Sequence, residues 1–165
     1  MTNEECVVMR NDQIDIDALP TFDRIVISPG PGLPNEAGGL LEAIANIPKE
    51  TPVLAVCLGM QAYALFSGNE IYNLNSIHHG VQVRSSFDQS SLLFEGVESP
   101  SLVGLYHSWA VRDQLPPDWK PIAFSEEGVL MGMEHRQYPI YCVQFHPESI
   151  LTPQGKKMVR NFLNL

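Results

Sequence analysis

The sequence predicts an α/β fold: a largely parallel central sheet flanked by helices, with an added region of antiparallel strands. Three observations carry this. Between residues 24 and 56, an apolar run, a Gly/Pro-rich turn, a helically spaced stretch and a second apolar run follow one another, which is the order of a βαβ unit. The second run, residues 52–56 (PVLAV), is continuously apolar, as a strand covered on both faces in a parallel sheet must be. From residue 71 onward, strand-like runs alternate with turn residues and end in one helix.

In chain order, residues 6–9 form a brief strand candidate, and residues 24–27 (RIVI) form a second that stops at Ser28-Pro29-Gly30-Pro31-Gly32. Residues 36–47 carry Leu40, Leu41, Ile44 and Ile47 at helical spacing and close at Pro48. After the strand at 52–56, residues 58–62 open a helix. Strands are then expected at 71–84, 102–109, 122–124, 129–135 and 140–145. Residues 154–165 close the chain as a helix with Met158, Val159 and Phe162 on its apolar stripe.

The chain has 165 residues, 44% of them hydrophobic, enough for one domain over residues 1–165 with a sizeable core. No repeat, polar linker or low-complexity tract divides it. A formal charge of −9 argues against nucleic acid or an anionic membrane as partner, since both call for basic patches. Cys6, Cys57 and Cys142 are odd in number and unclustered, so a disulfide framework is not expected and a reducing compartment fits. Cys6 and Cys142 read as core residues. The N-terminal MTNEECVVMRND has no basic or apolar targeting region, and no stretch approaches a membrane span. A cytoplasmic location is expected. Five histidines and three cysteines are scattered without metal-ligand spacing, so no metal site is expected.

Cys57 stands where a buried strand ends and a helix begins, between the small residues Ala55 and Gly59. Such a turn pushes a side chain out at the carboxyl edge of the sheet, and the free N–H groups of the helix start favour a thiolate or an oxyanion beside it. A buried cysteine packing as a small hydrophobe satisfies the same local pattern. In Gln144-Phe145-His146-Pro147-Glu148-Ser149, Pro147 disfavours helix at His146. Residues two apart in an extended segment project to one side, so Glu148 can orient the His146 imidazole as base and orienter. A solvated surface loop is the alternative. The loop 28–32 can bring backbone N–H groups close to a ligand, but it lacks phosphate-loop spacing, and its prolines remove donors. Alone it is equally a rigid turn.

Together and in this order, the SPGPG loop at 28–32, VCLGMQ at 56–61 and QFHPE at 144–148 resemble the class I (triad-type) glutamine amidotransferases, whose core is flavodoxin-like. RNDQI at 10–14, RIVISPGPGLPNEAG at 24–38, YHSW at 106–109 and VQFHPESILTPQGKKMVRNFL at 143–163 are similar to component II of anthranilate synthase and to the aminodeoxychorismate synthase glutaminase. The resemblance implies Cys57 as nucleophile, His146 as general base and acid, and Glu148 as its orienter. It implies a glutamine pocket lined by Gly30, Pro31 and Gly32, an oxyanion held by the N–H groups of Gly32 and Leu58, and substrate contacts from Gln61, Ser108 and Trp109.

The activity so implied is hydrolysis of L-glutamine through a cysteine thioester. Ammonia would pass to a separate chorismate-binding synthase subunit for anthranilate formation in tryptophan biosynthesis, or alternatively for aminodeoxychorismate in the folate pathway. No cofactor is implied, and any magnesium would belong to the partner. His79-Gly80 falls where the family carries a His-Gly-Lys segment facing that partner, with Val81 in place of the lysine. The resemblance begins at the family's second strand, so the chain is expected to be short at its N-terminus, lacking the first strand and helix. A fold rearranged or completed by another chain is the alternative. A cysteine hydrolase of another kind would lack Gln61 and the YHS segment, whereas an inactive scaffold subunit would keep them without turnover.

Overall fold

In the computed structural model, which describes residues 5–165 (75–78 by backbone alone), seven strands share one sheet. They are β1 (Ile25–Ile27), β2 (Val53–Val56), β3 (Ile71–Phe87), β4 (Ser101–Val111), β5 (Trp119–Ser125), β6 (Leu130–His135) and β7 (Ile140–Val143). The helices are α1 (Leu40–Asn46), α2 (Leu58–Phe66) and α3 (Gly155–Leu163), and short 3-10 turns cover Ile16–Thr21, Pro34–Glu36 and Leu92–Phe94.

The strand order is β1-β2-β7-β6-β5-β3-β4. The pairings of β1 with β2 and of β2 with β7 are parallel, and the other four are antiparallel. The parallel core and its antiparallel addition are therefore one continuous mixed sheet, joined at β7 and β6.

Alternation along the central strands assigns the two faces. Leu54, Val56, Tyr141 and Val143 belong to one buried cluster, which Met158 and Phe162 of α3 and the 3-10 residues Leu93 and Phe94 complete. Val53, Ala55, Ile140 and Cys142 belong to the other, with Leu40 and Ile44 of α1 and Met60, Ala62 and Tyr63 of α2. All four residues of β2 and all four of β7 are buried, as continuous apolar runs between two helical layers require.

Some expectations change. Residues 6–9 form no strand; Val7 and Val8 are exposed and no neighbouring strand pairs with them. Cys6 is exposed as well, whereas Cys142 lies in the core. The helix expected at 36–47 starts four residues later, because Gly38 adopts φ +56° and the Gly39 N–H bonds the Asn11 carbonyl at 2.9 Å. That stretch docks the N-terminal segment instead of continuing the helix. β3 extends to Phe87 and breaks register between His79 and Val81, around Gly80 at φ +71°, a bulge that only glycine enters cheaply.

Candidate active site

Two parallel strand ends build the site. β2 stops at Val56, β7 at Val143, and these residues are in register. The Cys57 N–H extends the ladder by one step, donating to the Val143 carbonyl at 2.8 Å. Cys57 then turns sharply to φ 52°, ψ −100°, the one non-glycine residue with positive φ among those described. An L-residue is rarely held there, and such strain persists only where the surroundings impose it. Here the surroundings are β2 behind and α2 ahead. The Gln61 N–H bonds the Cys57 carbonyl at 3.1 Å, so the N–H groups of the first turn, beginning at Leu58, have no earlier helical carbonyl to bond.

Two glycines let the elements approach. A Cβ at Gly59 would lie 2.9 Å from Ile27 Cγ2 and 3.0 Å from the Ile27 carbonyl oxygen, and one at Gly30 would lie 3.0 Å from Leu58 Cδ2. The 28–32 loop thus sits on the start of α2, ending at Gly32 with φ +80°.

The loop after β7 supplies the imidazole. His146 Nδ1 lies 2.7 Å from Glu148 Oε1. The contact forms across a turn, closed by the Ser149 N–H on the His146 carbonyl at 3.1 Å, and not along the extended segment expected; Pro147 in the second position suits that turn. The backbone of His146 is fixed twice to Gly104 of β4. Its N–H donates to the Gly104 carbonyl at 3.0 Å, and its carbonyl accepts at 2.6 Å from the Thr152 hydroxyl, which accepts the Gly104 N–H at 2.9 Å. Tyr106 packs its ring against His146 with centroids 4.8 Å apart, and its hydroxyl lies 3.0 Å from Ser149 Oγ.

His146 Nε2 is buried without a well-aligned hydrogen bond, and Cys57, its neighbour in the same cavity, is near enough to act on its charge. Burial opposes a charge on the ring, but Cys57 and Glu148 outweigh it and raise the imidazole to about 9. Burial likewise works against the charge of Glu148, yet the bond from His146 keeps that carboxyl below its usual range. At neutral pH the arrangement can present an imidazolium between the Glu148 carboxylate and the Cys57 sulfur.

A cavity of about 540 Å³ opens over these groups, lined by Pro29, Gly30, Pro31, Cys57, His79, Tyr106, His146, Glu148 and Ser149. That volume lies in the range of small-molecule sites. The residues singled out from sequence therefore divide. Cys57, His146, Glu148, Gly30 and Pro31 share the cavity wall, while Gly32, Leu58, Gln61, Ser108 and Trp109 lie outside it. Gln61 turns inward: it is 4% exposed and its Nε2 donates to the Trp109 carbonyl at 3.0 Å and to Gln144 Oε1 at 3.3 Å. Gln144, to which no role attaches in the sequence, places Nε2 3.6 Å from Cys57 Sγ. Among the described residues no group of three His, Cys, Asp or Glu side chains could hold a metal, and no helix is long and apolar enough to cross a membrane.

An elbow cysteine at the carboxyl edge of an α/β sheet, with a His–Glu pair from the next parallel strand, is the arrangement of a triad-type cysteine enzyme. The sequence profile of the class I glutamine amidotransferases matches residues 2–165, and the chain belongs to that family.

Among its relatives, the aminodeoxychorismate/anthranilate synthase component 2 of Bacillus subtilis is 41% identical, over 97% of this chain and 84% of that protein. The bifunctional protein TrpGD of Thermotoga maritima is 39% identical over 98% of this chain, which spans 28% of that protein's length. Among solved structures, a Thermoplasma acidophilum protein described as part of a GMP synthase superposes with a TM-score of 0.83 at 30% identity, covering 93% of this chain and 77% of that one.

Proposed function

We propose that this chain is the glutaminase subunit of a chorismate-using synthase, hydrolysing L-glutamine and delivering ammonia for anthranilate formation in tryptophan biosynthesis. The observation that carries the chemistry is Cys57, held at positive φ in one cavity with the His146–Glu148 pair. The thiolate of Cys57 attacks the carboxamide carbon of glutamine. The N–H groups of Leu58 and Gly32 receive the oxyanion. His146, held protonated by Glu148, gives its proton to the departing nitrogen, so that ammonia leaves and a glutamyl thioester remains on Cys57. His146, now neutral, takes a proton from water as that water attacks the thioester, releasing glutamate and restoring the thiolate–imidazolium pair. Gly30 and Pro31 line the substrate's side of the cavity. The contacts that the resemblance assigns to Gln61, Ser108 and Trp109 are not made in this conformation, where all three lie outside the cavity and the Gln61 amide is bonded to the Trp109 carbonyl and to Gln144.

The reading needs no metal or cofactor in this subunit; any magnesium belongs to the synthase partner. A cytoplasmic location is part of the same reading, and among the described residues no helix long and apolar enough to cross a membrane opposes it. The pathway rests on the naming of the relatives. The Bacillus subtilis relative carries both aminodeoxychorismate and anthranilate in its name, which supports a second reading in the folate pathway.

The test is glutamine hydrolysis by the purified chain, alone and with a chorismate-binding component I of each type, together with a Cys57→Ser variant. Glutamate release that Cys57→Ser abolishes is expected, with anthranilate or aminodeoxychorismate identifying the pathway. No turnover with either partner overturns the proposal in favour of an inactive scaffold subunit.

A further inference from the structure

The site contains a second contact to the nucleophile that the triad does not include. We propose that Gln144 donates a hydrogen bond to the Cys57 sulfur that favours its thiolate form, and that Gln61 fixes the orientation in which it donates. The proposal rests on the reading of Cys57 as nucleophile.

Gln144 follows β7 directly as Cys57 follows β2, and the paired strand ends set the two residues side by side. The Gln144 side chain is fully buried. A carboxamide in such a place costs free energy unless its N–H and C=O groups find partners. Its Nε2 lies 3.6 Å from Cys57 Sγ and its Oε1 lies 3.3 Å from Gln61 Nε2.

An amide can be turned end for end, so its direction has to be argued from its partners. The Trp109 carbonyl can only accept, and Gln61 Nε2 lies 3.0 Å from it. Gln61 must therefore present its NH2 at this point. Gln144 must meet that NH2 with its oxygen, which leaves its own NH2 for the sulfur. Three groups in series thus transmit the polarity of one backbone carbonyl on β4 to the nucleophile.

A thiol is a weak acceptor and a thiolate a stronger one, so a fixed donor separates the two states in favour of the charged one. The thiol proton goes to His146 Nε2, which is buried without another partner. Gln144 catalyses by direct contact with a reacting atom; Gln61 is a positioning residue.

The test reads Cys57 itself. In a Cys6→Ser background, which removes the exposed thiol and leaves Cys142 buried, the rate of alkylation by iodoacetamide is measured against pH, with mass spectrometry locating the adduct. Gln144→Met should lower the rate at neutral pH by about tenfold and move the titration midpoint upward by about one pH unit. Gln61→Met, which leaves the Gln144 amide free to turn, should move the midpoint the same way by less. An unmoved midpoint in folded Gln144→Met overturns the proposal. Should that variant not fold, an unmoved midpoint in Gln61→Met overturns it. If Cys57 in the parent reacts no faster than a free thiol at neutral pH, the proposed glutaminase chemistry fails as well. A fast parent with unmoved variants removes the role of Gln144 alone.

Discussion

His146 binds a proton in the folded protein at pH values where it would lose it in the unfolded chain. Its folded pKa is raised to about 9 from an ordinary value of 6.5. The stabilisation is therefore complete below about pH 6.5 and is lost as pH rises through 9. Glu148 works in the opposite sense, its lowered pKa adding stability that disappears as pH falls through its folded value. Glu148→Gln should bring the imidazole down. In pH–rate profiles of glutamine hydrolysis, the alkaline limb should lie near pH 9 in the parent and lower in Glu148→Gln; urea unfolding at pH 6.5 and 9 should show a smaller difference in the variant. Thr152 bears on the same residue through its backbone. Thr152→Val keeps the shape but leaves the His146 carbonyl and the Gly104 N–H without their partner, and should cost about 1–3 kcal/mol in urea unfolding. At this scale the sequence discloses the His146–Glu148 pair, because both residues and the proline between them are neighbours in the chain. Gln144 and Gln61 are not legible in that way. Their contact spans 83 residues and exists only because β2 pairs with β7.

The elements that hold the site touch through glycines. Gly59 lets α2 lie against β1, and Gly155 lets α3 begin against the loop after His146, since a Cβ there would lie 1.8 Å from the Pro147 carbonyl oxygen. Backbone oxygens cannot rotate away as a side chain can. Gly59→Ala should push α2 away from β1 and shift the Cys57 turn, costing about 1–3 kcal/mol and lowering glutamine hydrolysis by more than tenfold. A thermal melt and a kcat measurement on the same preparation check both effects. Elements with continuous apolar runs, such as β2, or a clear helical stripe, such as α3, were legible because burial on defined faces determines their residue pattern. The start of α1 was not legible, since the Asn11 carbonyl that takes the Gly39 N–H is distant in sequence. The apolar residues 7 and 8 resemble a strand locally, yet a strand needs a neighbour to bond.

Across the whole molecule, the two halves of the sheet are joined at β7 and β6, and the loop that carries His146 leaves the sheet at that junction. Phe145 marks the place. It is fully buried between Gln144 and His146 in the chain, and its ring lies 6.0 Å from that of Phe87 on β3, which in turn stacks on Phe94 at 4.5 Å. These contacts tie the loop after β7 to β3, the antiparallel strand that pairs with β4, on which Gly104 and Tyr106 lie. Phe145→Ala should therefore do two things at once. Removing a buried ring should cost about 3–5 kcal/mol of global stability. It should also let the His146 loop move relative to Cys57, so that hydrolysis falls even at temperatures where the variant is fully folded. Phe145→Leu retains most of the volume and should recover most of both losses. Urea unfolding and kcat at low temperature separate the two effects: a loss of stability with unchanged kcat would show that the His146 loop is held by Gly104 and Thr152 without help from the core beneath it.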